Sequence, residues 1–85
     1  MIRSCDQFGP WAIDLDHAEQ RARLRAMRAL TRVHCGPRGA NLCRLLAQAE
    51  TDAAALEPAL AALEHLPSND RRHLLASYGA LACAA

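Results

Sequence analysis

Four arginines are the residues whose spacing most clearly points to a chemical task. Arg21, Arg25, Arg28 and Arg32 step by 4, 3 and 4, so on a helix of 3.6 residues per turn they project within about 60° of one another. Like charges so placed repel by a few tenths of a kcal/mol per pair unless something neutralises them. Three outcomes fit the pattern. The stripe is solvated or paired within the chain, it faces an acidic protein surface, or it follows a phosphate backbone and releases counterions. Net charge argues against the last as the leading reading, because the whole chain carries only +1. The charge is unevenly spread, however: residues 1–16 sum to −2, 17–44 to +6 and 45–85 to −3. The first long segment is therefore a basic block between acidic flanks.

Other reactive side chains do not converge. His34, Cys35, Cys43, His65 and His73 could ligate a metal, but structural zinc is announced by paired ligands two to four residues apart, and that spacing is missing. No metal or other cofactor is expected. His34 beside Cys35 suggests an activated thiol, yet adjacent helical residues point about 100° apart. The chain has no Gly-rich phosphate loop, zinc-protease helix motif or nucleophile elbow, so it is not expected to be an enzyme, and no small-molecule substrate is evident. Cys5, Cys35, Cys43 and Cys83 are scattered. With no apolar leader and no stretch of 18 apolar residues, the expectation is a cytoplasmic chain, off the membrane, with its cysteines as thiols.

The elements that must position these groups are helices. Nineteen alanines and thirteen leucines stand against one valine and two isoleucines, a composition that favours helix over strand. The chain reads as an all-α bundle of three to four short helices. It forms a single domain over 1–85, with an N-terminal arm over 1–13 and the bundle over 14–85. In the arm, Gly9-Pro10 breaks the chain between Phe8 and Trp11, and these aromatics are expected to fold back as a lid on the bundle.

Helix one should run from Asp16 to Cys35. Asp16 and Glu19 resemble a capping box, Asp14 adds charge favourable to the helix start, and Gly36-Pro37 ends it. At 100° per residue, Leu15, Ala18, Ala22, Ala26, Ala29, Leu30 and Val33 share one face, which is the expected core face. Leu24 lies nearly opposite and Met27 between, so both are expected to point outward as anchors for a partner. A second helix is expected from Ala40 or Asn41 to Glu50, with Leu42, Leu45, Leu46 and Ala49 as its apolar stripe. A third is expected over Ala53–Leu66, carrying Leu56, Leu60 and Leu63. Within it Pro58 either kinks a long helix or sits at the start of a shorter one beginning near Glu57. Ser68 or Asp70 should cap the last helix, Asp70 to about Ala84, with Leu74, Leu75, Tyr78 and Leu81 on one face. Arg71, Arg72 and His73 at its start oppose the helix dipole and call for local pairing.

Alanine buries little surface, so the core of one copy is thin, and small scaffolds of this kind often add a partner. The functional expectation is a regulatory protein–protein interaction module. It is expected to self-associate as a homodimer or to join another protein, with Arg21, Arg25, Arg28, Arg32, Leu24 and Met27 at the contact and the arginines orienting an acidic partner. The alternative is a small nucleic-acid-binding transcriptional regulator, because Leu45, Ala49, Leu56, Leu60 and Leu63 have the apolar spacing of a helix-turn-helix. Its reading helix would carry no Arg, Lys, Asn or Gln between Ala53 and Leu66, where base contacts are made.

Overall fold

A computed structural model describes residues 9–12 and 15–84, with side chains through Leu81. The expectations placed on Cys5, Phe8, Asp14 and Cys83 lie outside what is described. The described residues form four α-helices: α1, His17–Cys35; α2, Ala40–Ala49; α3, Leu56–Glu64; and α4, Ser68–Ala84. Single 3-10 turns precede α2 at Gly36–Gly39 and α3 at Ala53–Ala55, and the described residues contain no strand. The all-α bundle expected from composition is the fold observed. Helix α1 is its centre, packing against α2 on one side and α4 on another, while α2 also carries α3.

Local chemistry sets the helix boundaries. Asp16 caps α1, its carboxylate accepting the Glu19 N–H at 3.0 Å, which satisfies one of the orphan donors of the first turn. Gly36 ends the helix at φ 57°, a conformation glycine adopts without a Cβ penalty. Asp52 caps the next turn, accepting from the Ala54 N–H at 3.0 Å. Pro58 is resolved by this arrangement. Because α3 begins at Leu56, Pro58 lies in its first turn, where a missing N–H removes little from the ladder. The expected 53–66 segment is thus a 3-10 turn followed by a short helix. Helix α4 starts two residues before the position expected from Asp70, and Asp70 does not cap it. Its carboxylate instead receives both guanidinium arms of Arg38, the Nη2–Oδ1 bond measuring 3.0 Å.

The largest departure concerns the buried face of α1. Leu24, Met27, Thr31 and Cys35 face the core, and Leu24 and Met27 have no exposed surface at all (0% each). The expectation that these two point outward is therefore overturned. Val33, placed on the core face by periodicity, is 77% exposed. Ala18, Ala22 and Ala29 are exposed as well, while Ala26 and Leu30 are only half-buried. The reason lies in volume. A central helix packed by two neighbours needs its bulky side chains turned toward them, and an alanine face cannot fill that space at protein packing density. Thr31 joins the core without penalty because its hydroxyl donates to the Met27 carbonyl at 2.7 Å.

Around α1 the core is closed by Leu42 and Leu46 from α2, Leu63 from α3, and Leu74 and Tyr78 from α4. Leu81, expected on the same face as Leu74, is 53% exposed. Trp11 acts as the expected lid for its part of the arm. It packs on the core and its indole N–H donates to the Leu56 carbonyl at 2.7 Å. The strap is held from α1 too, since Gln20 donates to the Pro10 carbonyl and Arg23 to that of Gly9.

Candidate protein-interaction face

The arginine stripe forms on α1, and a carboxylate 25 residues along the chain meets it. Arg25 donates through Nε to Glu50 Oε1 at 2.9 Å, and Arg28 Nη1 lies 3.4 Å from Oε2. Glu50 follows the last residue of α2 and its side chain is only 11% exposed, so this pairing fastens α2 to α1. This pairing was not legible in the sequence, because nothing in one acid after a short helix fixes where that helix docks. Arg21 and Arg32 are exposed and have no hydrogen bond or ion pair to any described residue. Two of the four guanidinium groups thus meet one carboxylate, and the stripe keeps a formal surplus of three positive charges.

Beside this ridge runs the misassigned apolar face. Ala18, Ala22, Ala29 and Val33 fall within about 60° of one another, centred about 70° round the helix from Arg21, Arg25 and Arg32. A strip of small apolar groups ending in an exposed valine, with guanidinium groups along one flank, is what the outer side of α1 presents. Of the six residues expected at a contact, Arg21, Arg25 and Arg32 border this strip, Arg28 is half-buried toward α2, and Leu24 and Met27 are inside.

Comparison with known proteins adds no relative. No family model, no curated protein and no solved structure matches this chain significantly.

The structure also joins His34 and Ser77, Nε2 to Oγ at 2.8 Å, across the α1–α4 contact. A hydroxyl on an imidazole is nucleophile–base geometry. Both residues lie within long helices whose N–H groups are used by the ladder, so the backbone beside the pair offers no free oxyanion donor. Nor does any described carboxylate hydrogen-bond to His34. The contact is an interhelical clasp. No three His, Cys, Asp or Glu side chains among the described residues gather at metal-binding distance. Burial pushes the Cys35 thiol up, and the nearby negative charge of Asp70 adds to this. Cys43 is raised by burial against the opposing pull of Arg32 and Arg28. Neither thiol is activated.

Of the three basic residues opening α4, Arg71 and Arg72 find local partners. Arg71 donates to the carbonyls of Glu64 and Leu66, capping the end of α3, and Arg72 donates to the Asn69 side chain at 2.6 Å. No described helix is long and apolar enough to cross a membrane.

Proposed function

We propose that this protein is a helical interaction module that docks an acidic, helix-forming segment of a partner protein along the outer side of α1. The observation that carries the reading is Val33, 77% exposed at the end of the alanine strip and flanked by guanidinium groups that Glu50 only partly neutralises. Small side chains let another helix approach closely, while the arginines select its charge and register. A second copy of this chain fits less well. In an isologous antiparallel contact each flank meets the same flank of the other copy, which sets one arginine ridge against its twin. The sequence-based case for self-association also leaned on Leu24 and Met27, and both are enclosed within one chain.

A nucleic-acid role has weaker support. The face of α3 that would enter a groove carries Glu57, Pro58, Ala61 and Glu64, two carboxylates and no donor for base edges. The test is an NMR titration with a 16-residue helical peptide bearing an alanine–leucine face and a glutamate flank. Saturable shifts at Ala22, Ala29 and Val33 are expected, weakening as salt rises. Val33→Asp should cost about tenfold in affinity, since it loses roughly half the benefit of burying a valine and adds a repelling charge. Equal binding of a peptide with lysine in place of glutamate would overturn the proposal, and tighter binding of a DNA duplex would transfer preference to nucleic acid.

A further inference from the structure

Where α1 turns into α2, Arg32, Gly36, Pro37, Ala40 and Cys43 line an open groove of about 400 Å³. Its walls are apolar apart from the guanidinium at the rim, and no carboxylate lines it. The neighbouring cations are already engaged. Arg28 faces Glu50, and Arg38 is held on both arms by Asp70. The Cys43 thiol donates to the Arg28 carbonyl at 3.7 Å, so the floor of the groove keeps no donor of its own free. Arg32 is the charged residue of the lining, and its field, with that of Arg28, opposes the upward push that burial gives the Cys43 thiol.

A carboxylate on a short apolar stem matches this arrangement. The carboxylate would neutralise Arg32, and two methylenes would lie against Pro37, Ala40 and Cys43. A bare phosphate would gain one guanidinium and leave the apolar walls unused. Arg32 is also next in sequence to Val33, the end of the alanine strip, so a segment lying along α1 arrives at the groove as it leaves the strip. From Ala18 to Val33 is about 22 Å, or roughly four helical turns of a docked segment.

We propose that this groove is the socket for a glutamate side chain at one end of the acidic segment that docks on α1. The inference rests on the docking reading above and adds the residue that fixes the segment's position along the strip.

A double-mutant cycle with the same 16-residue peptide on the full chain tests it. Replacing the peptide's end glutamate by glutamine should weaken binding up to about five-fold, the upper end for an exposed charge pair. That loss should vanish when the protein carries Arg32→Gln. Ala40→Glu, which places a like charge inside the groove and leaves every strip residue unchanged, should weaken the glutamate peptide and spare the glutamine one. The bound glutamate peptide should also slow alkylation of Cys43 by N-ethylmaleimide more than the glutamine peptide does. Binding with no coupling to Arg32 and no protection of Cys43 would overturn the socket while leaving docking intact. Absence of any binding to the strip would overturn the docking reading, and the socket with it.

Discussion

Replacing Leu24 by alanine removes a side chain with no exposed surface, set in the α1 face that packs on its neighbours. Such truncations cost the lost transfer energy and a cavity term, together about 2–5 kcal/mol. A domain of this length has total stability on the order of 4–13 kcal/mol, so a mid-range loss of about 3 kcal/mol is a large share. At roughly 4–8 °C per kcal/mol, the melting temperature should fall by about 12–24 °C. Val33→Ala is the matched control. With 77% of Val33 exposed, its truncation should change stability by no more than about 0.5 kcal/mol. Urea denaturation followed by circular dichroism at 222 nm measures both, and an unchanged slope shows that the same surface is exposed on unfolding. Had the periodicity assigned the buried face correctly, the order would reverse. A Val33→Ala variant losing well over 1 kcal/mol beside a near-neutral Leu24→Ala would refute the packing described for α1.

Gly39, the last residue of the turn before α2, packs tightly on α1, because a Cβ there would lie 2.6 Å from Thr31 Cγ2 and 2.7 Å from Cys35 Cβ. Gly39→Ala should destabilise by about 1–3 kcal/mol through overpacking. Gly79→Ala, within α4 and with nothing within 4 Å of the added carbon, should stabilise by about 0.5–1 kcal/mol; both are read from urea midpoints. Hydrogen bonding from Arg38, aided by the charges of Arg38 and His73, holds the Asp70 carboxyl below the usual carboxylate range against the opposing effect of burial. Its contribution is therefore fully present above the ordinary value near pH 4 and lost as pH falls through the lowered one. The gap in melting temperature between wild type and Asp70→Asn should be steady from pH 7 to 5 and close toward pH 2; a gap that does not change with pH would contradict the pairing. Trp11→Phe keeps most of the apolar lid but loses the N–H bond to Leu56, and should cost about 0.5–1.5 kcal/mol in the same denaturation experiment.

Helix class and punctuation were legible in the sequence because their causes are local. Asp16 capping Glu19 and Gly36 at positive φ each act within a few residues, so their identities and spacing suffice to place a boundary. The arginine stripe was legible for the same reason, since a helix alone fixes the angle between Arg21 and Arg32.

The direction in which α1 turned its surface was a different kind of fact. Periodicity gives alanine and leucine similar weight, and on α1 it found a longer apolar row through Ala22, Ala29 and Val33 than through Leu24, Met27, Thr31 and Cys35. Packing weighs volume. With α2 on one flank and α4 on another, the row holding leucine and methionine filled the space, and the alanine row was left outside. Glu50 on the arginines, Ser77 on His34 and the groove beside Arg32 all depend on where distant segments dock. Sequence determined which segments coil and which groups lie along each coil; only the tertiary structure decided which side of α1 is buried, because that choice belongs to the neighbours that must fit against it.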